Sequence, residues 1–144
     1  MRTIEELTEQ VRNNGGKVTA QRLLIWQTLY NNRTHPTAEE LYQKLKQGSP
    51  TLSLTTLYNT LNELASWGDI RRIDNGDGSI HYDPFVEPHV ELVCLICHKV
   101  VDSQSKPALL SAPEEMDGFK IISHSEQYYG YCPVCRDTFN QIKK

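Results

Sequence analysis

A chain of 144 residues, 38% hydrophobic and 23% charged, has room for one ordinary domain or two small ones, and the smaller of two would need reinforcement beyond its own core. No apolar run approaches membrane-spanning length and no charged-then-apolar leader opens the chain, so the reading is a soluble protein of the reducing cytoplasm with no membrane partner. The net charge of −3 argues weakly against a strongly basic nucleic-acid coat, and the total hides an asymmetry: residues 1–80 carry 9 Lys/Arg against 9 Asp/Glu and residues 81–144 carry 6 against 9. The excess acid lies beside all the cysteines and four of the five histidines, where metal cations would neutralise it.

The first half reads as four short helices. Thr3 caps a helix that runs to about Asn14, where Gly15-Gly16 ends it. Behind a Thr19 cap, Val18, Leu23, Leu24, Trp26, Leu29 and Tyr30 recur at helical spacing. His35-Pro36-Thr37-Ala38-Glu39-Glu40 then sets Thr37 as N-cap with Glu40 three residues on, a capping box that opens a helix to Gly48. Ser53 opens the fourth, with Leu54, Leu57, Leu61 and Leu64 on one face before Gly68. Ile70–Asp74 and Ser79–Asp83 flank Asn75-Gly76-Asp77-Gly78, a hairpin-turn signal.

A helical set closed by a two-stranded hairpin is the winged-helix plan, whose last helix enters the major groove. Its outer face here would carry Thr55, Thr56, Tyr58, Asn59, Asn62 and Glu63. Asn can read adenine, and Thr and Tyr can touch thymine methyls, so this face suits A·T-rich DNA, with Arg71 and Arg72 of the hairpin placed for phosphates.

Asp83-Pro84-Phe85-Val86-Glu87-Pro88 reads as an extended linker. Beyond it Val90, Leu92 and Cys94 alternate with Glu91 and Val93; Lys99–Asp102 and Lys120–Tyr131 also look extended, and Pro133–Lys144 closes as a helix. Pro107 and Pro113 permit at most a short helix in Lys106–Met116. The fold class is therefore α+β: a winged-helix DNA-binding domain (1–83), a hinge (84–88) and a small α/β dimerisation and metal-binding domain (89–144).

The four cysteines stand as Cys94-Leu-Ile-Cys97 and Cys132-Pro-Val-Cys135. A two-residue gap turns both thiolates of a pair toward one point, and two pairs complete a closed tetrahedral Zn²⁺ site with no position left for a reactive water. Such zinc holds structure. A redox pair or two disulfides are the competing readings, the latter disfavoured in a reducing compartment.

These features together closely resemble the ferric uptake regulator (Fur) superfamily of metal-dependent bacterial repressors. The resemblance is carried by Lys17-Val18-Thr19 with Arg22, by His35-Pro36-Thr37-Ala38-Glu39-Glu40-Leu41-Tyr42, by Ser53-Leu54-Thr55-Thr56-Leu57-Tyr58-Asn59-Thr60-Leu61, by Gly76-Asp77-Gly78 and by both cysteine pairs. Tyr58-Asn59 and the Asp83 and Asp102 carboxylates make it most similar to the peroxide-sensing PerR branch. The resemblance implies a homodimer through the second half, double-stranded inverted-repeat operators, base contacts from Tyr58 and Asn59, and a minor-groove contact from Lys17.

It also implies a regulatory Fe²⁺ or Mn²⁺ on His35, Asp83, His89, Glu91 and Asp102, a hard nitrogen-and-oxygen donor set that would tie the two halves together. His89 and Glu91, two apart on an expected strand, share a face. The family commonly has a second histidine where this chain has Glu91, which makes the site harder and leaves the choice of metal open. His81, two residues before Asp83, is a further nitrogen donor to weigh against a simple exposed wing histidine. His124 resembles a ligand of an extra site in some members, but Pro88 and Val90 occupy that site's other positions and cannot ligate. The resulting expectation is a non-enzymatic repressor sensing peroxide through iron-driven histidine oxidation. An iron, manganese or zinc uptake regulator without peroxide sensing, and a zinc-thiolate redox protein, are the alternatives; a metallohydrolase lacks a paired nucleophile and base.

Overall fold

The computed structural model describes residues 1–121 and 124–142, with the side chains of 139–142 excepted. The chain divides into two compact units, Met1–Asp74 with Gly78–Val86, and Asn75–Asp77 with Glu87–Lys144. The first holds α1 (Ile4–Asn13), α2 (Ala20–Leu29), α3 (Ala38–Leu45), α4 (Leu54–Ser66) and the hairpin β1 (Arg71–Asp74) and β2 (Ile80–Asp83). The second holds β3 (Val90–Cys94), β4 (Val100–Asp102), β5 (Glu115–Met116), β6 (Phe119–Lys120), β7 (Glu126–Gly130) and α5 (Pro133–Ile142).

Each of the first four helices starts at a hydroxyl that accepts an otherwise orphaned backbone N–H: Thr3, Thr19, Thr37 and Ser53. Thr37 and Glu40 close the capping box reciprocally, and Thr3 with Glu6 forms another. The stops are equally local, since Gly15 and Gly68 take φ of 72° and 76°, which a side chain would resist.

Leu7, Ile25, Trp26, Leu29, Leu41, Leu57, Leu61, Leu64 and Tyr82 form one continuous core in this unit. Two expectations shift. Leu54, at the first position of α4, is exposed while Leu57, Leu61 and Leu64 are buried, and Ile25 rather than Tyr30 joins the buried stripe of α2. Both outliers sit at a helix end, where the chain turns off the packing direction. The Arg2 guanidinium closes the unit by pairing with buried Asp69 at 2.7 Å.

In the second unit β3 is central, antiparallel to β4 and parallel to β7. Among the described residues no helix forms between Lys106 and Met116; the two prolines stand there, and a short β5–β6 hairpin turns on Asp117-Gly118, both at positive φ. The expectations for Ile122-Ser123 and Lys143-Lys144 lie outside the described residues. No helix among the described residues is long and apolar enough to cross a membrane.

Candidate metal centres and nucleic-acid face

The cysteine site is built by β3, the turn after it and the start of α5. Cys94 ends β3 and bends back through the His98 N–H to Cys94 carbonyl bond, carrying Cys97 beside it; Cys132 and Cys135 flank the first turn of α5. All four sulfurs lie within 4.8 Å of one another, and Cys97 Sγ is 3.9 Å from Cys132 Sγ. Sulfurs at about 2.3 Å from a tetrahedral Zn²⁺ stand about 3.8 Å apart, so the arrangement fits that ion.

Electrostatics point the same way. The backbone N–H groups of Cys132 and Cys97 hold the Cys94 thiol down at about 6, whereas hydrogen bonding to Cys132 among its fellow thiols pushes Cys135 up to about 12. One thiolate is favoured and another opposed until a cation neutralises the cluster.

In the second unit, the strand register aligns Glu91 with Asp102 on one side and Gln127 on the other. His89, just before β3, places Nε2 at 3.5 Å from Glu91 Oε1 and 3.4 Å from Asp102 Oδ1. Its Nδ1 donates to the Glu87 carbonyl at 2.8 Å, which fixes the tautomer and turns the Nε2 lone pair toward both carboxylates. Three donors thus converge. Gln127, absent from the sequence reading, orients Glu91 by donating to Oε2 at 2.6 Å.

In the first unit, His35 Nε2 stands 4.0 Å from Asp83 Oδ1, with both residues buried. His35 adopts φ 50° before a proline, a conformation costing about 1–3 kcal/mol and held only by surrounding contacts. Those contacts come from β2. The His81 ring Nδ1 donates to the His35 carbonyl at 2.7 Å, the Tyr82 N–H donates to Pro36 O at 2.9 Å, and Thr37 bridges His81. His81, weighed above as a metal donor, thus buttresses His35. Neither His81 nor His124 joins a group of three or more metal-donor side chains among the described residues; His124 Nε2 bonds the Leu109 carbonyl at 3.2 Å.

The segment after Asp83 is tied down within the first unit. The Met1 ammonium donates to Pro84 O at 2.7 Å, and the Arg33 guanidinium lies 3.5 Å from the Phe85 ring centroid.

On the candidate nucleic-acid face, Lys17, Thr55, Asn59 and Arg72 are exposed. Thr56 contributes to the α4 cap through Ser53. Tyr58 donates its hydroxyl to Glu39 at 2.5 Å; that bond raises the Tyr58 phenol above its ordinary value and lowers the Glu39 carboxyl below its own. Glu39, Tyr58, Asn62, Arg72 and Tyr82 line a polar groove of about 280 Å³ between the helices and the hairpin. Arg22 pairs with Glu63 at 2.6 Å and donates to the Lys17 carbonyl at 3.3 Å, so it positions the loop bearing Lys17. Arg71, expected at phosphates, instead pairs with Asp83 at 2.8 Å. Counting back from the turn would have put the two opposite each other.

The sequence model of the ferric uptake regulator family matches residues 13–129. The peroxide-responsive repressor PerR of Staphylococcus aureus strain USA300 is 32% identical over 136 residues, 93% of this chain and 92% of its own. Among solved structures, the ferric uptake regulator of Francisella tularensis with iron superposes with a TM-score of 0.66 at 29% identity, over 85% of this chain and 96% of its own. The PerR of Streptococcus pyogenes, whose structure concerns peroxide sensing and gene regulation, superposes with a TM-score of 0.55 at 29% identity over 94% of each chain. The matched stretch runs from the end of α1 to β7 and so takes in the winged helix and the central sheet; on that breadth, the chain belongs to the ferric uptake regulator family.

Proposed function

We propose that this chain is a dimeric, metal-responsive transcriptional repressor of A·T-rich inverted-repeat operators that peroxide inactivates. The observation that carries the reading is the triad of His89, Glu91 and Asp102, whose imidazole is turned by the Glu87 carbonyl so that its lone pair meets two carboxylates. The family resemblance would add His35 and Asp83 as further ligands, a set of two imidazoles and three carboxylates suited to Fe²⁺ or Mn²⁺, while the four cysteines hold structural Zn²⁺. Similarity to the PerR proteins of two bacteria supports peroxide as the signal. Bound Fe²⁺ would supply the electrons that reduce peroxide. His35 and His89 are the oxidisable ligands, and an oxidised imidazole loses the basic nitrogen on which ligation depends.

Thr55, Tyr58 and Asn59 of α4 read bases, Lys17 enters the minor groove, and Arg72 meets phosphates, with Arg22 holding the Lys17 loop. The dimer face is the open side of the sheet in the second unit. The register lines up Leu92 with Val101 and Tyr128, all exposed apolar side chains beside a groove of about 280 Å³.

A second reading has one observation in its favour: Glu91 is a buried, Gln127-bonded carboxylate where the resemblance leads one to expect histidine, which hardens the site toward Mn²⁺ and toward a metal-uptake regulator indifferent to peroxide. Mass spectrometry of the iron-loaded protein after a low peroxide dose separates the readings. One added oxygen on the peptide of His35 or His89, together with loss of operator binding, is expected. An unmodified protein that still binds its operator would establish the second reading, and cysteine oxidation with zinc release would establish a thiol-based sensor.

A further inference from the structure

We propose that Arg71 is the resident counter-ion of the regulatory site: it balances Asp83 in the metal-free protein and so weakens the site for its divalent ion, setting the concentration at which the repressor loads. The proposal rests on the reading of Asp83 as a ligand.

Three observations within the winged-helix unit lead to it. Arg71 and Asp83 are partners in the β1–β2 register, so the pairing is built into the hairpin. Asp83 is wholly buried, whereas the Arg71 side chain keeps 21% of its exposure. A buried carboxylate without a compensating charge is costly, and the guanidinium supplies a positive charge to this one. The third observation is how the two oxygens are used. Oδ2 accepts from Arg71 Nη2 at 2.8 Å, while Oδ1 accepts from the Phe85 N–H at 2.8 Å and is the oxygen that faces His35.

A carboxylate offers about four lone-pair positions, so Oδ1 can ligate toward His35 while Arg71 stays on Oδ2. Arg71 need not leave when the site fills. One negative charge then serves both a monocation and a dication, and in a buried setting their mutual repulsion is poorly screened. Arg71 therefore stabilises the empty site more than the loaded one, and only that difference shifts loading. Its neighbour Arg72, exposed beside Tyr58, is left for the nucleic acid.

The test is calorimetric Mn²⁺ titration of the zinc-replete full chain as parent, Arg71→Gln and Arg71→Lys. Gln keeps a donor for Oδ2 without the charge; Lys keeps the charge without the fork. R71Q is expected to bind Mn²⁺ about tenfold more tightly and R71K within about threefold of the parent. R71Q should also lower the melting temperature of the Mn²⁺-free protein more than that of the Mn²⁺-saturated protein, a split that a purely structural role would not produce. Unchanged or weaker Mn²⁺ binding by R71Q overturns the proposal. So does a drop of about one in the salt slope for random duplex at saturating Mn²⁺, which would put Arg71 on a phosphate. Should R71Q fail to retain zinc, Arg71→Thr, a neutral strand former that admits water to Oδ2, is read by the same criteria. Asp83→Asn separates the two levels: if it leaves Mn²⁺ affinity intact, Asp83 is no ligand and the site reading itself fails.

Discussion

The two units are held together by different means. In the winged-helix unit the core runs unbroken from Leu7 through Trp26, Leu41, Leu57 and Leu64 to Tyr82. In the second unit, among the described residues, only Val90, Val93, Cys94 and Val100 are buried apolar side chains, while Leu92, Val101, Tyr128 and Phe119 are exposed. A core that small does not sustain a domain alone, and the four converged thiols supply the missing constraint. Folding by apolar burial is separated along the chain from folding by metal.

The largest effect should come from breaking the metal side. Cys97→Ser leaves three ligands and is expected to lose zinc, the dimer and the strand signal of the second unit, while helical circular dichroism from α1–α4 persists. Loss of both signals in one transition would show that the winged helix depends on zinc too. Next comes the apolar side: Leu61→Ala, at a fully buried α4 position, should cost the first unit about 2–5 kcal/mol in denaturant unfolding, with zinc stoichiometry unchanged. On the proposed nucleic-acid face, Tyr58→Ala should reduce the preference for operator over random duplex by about 1–3 kcal/mol per lost base contact, measured at fixed salt. Equal weakening of both duplexes would show that Tyr58 does not read bases. The smallest effect belongs to the cap of α3. Thr37→Ala should cost about 1 kcal/mol of stability in denaturant unfolding, close to the cost of Thr3→Ala, because each removes only a hydroxyl cap and the backbone bridge from Thr37 to His81 remains.

How much of this was legible in the chain follows from the range of the interactions. The caps at Thr3, Thr19, Thr37 and Ser53 lie one residue before the helices they open, and local chemistry suffices to find them. The cysteine pairs were legible because two matched two-residue spacings together supply the four ligands of one tetrahedral ion, whereas a single pair would have left a redox use equally open. Glu91 and Leu92 were harder. Strand alternation puts a charge outside and a leucine inside, yet Glu91 is buried and Leu92 exposed, since a donor set occupies one face and an unpartnered apolar surface the other. Gln127 was out of reach because only the parallel β3–β7 register sets it beside Glu91. Glu39 was visible only as a first-turn acid, and its bond to Tyr58 depends on how α3 packs against α4. His81 and Arg71 carried donor and phosphate expectations that their side chains alone could not refine; the hairpin register and the left-handed turn at His35 gave them other partners.

On the proposed function, the regulatory metal and the operator favour the same form of the protein. Linkage makes the claim reciprocal: whatever factor Mn²⁺ adds to operator affinity, the operator must add to Mn²⁺ affinity. Calorimetric titration of Mn²⁺ into the zinc-replete protein at fixed salt, with and without saturating operator duplex, measures that factor directly. Tighter Mn²⁺ binding on the operator, by the same ratio found in the converse titration and abolished in His89→Ala while zinc stays bound, is the predicted result. Equal Mn²⁺ affinity with and without operator would contradict it.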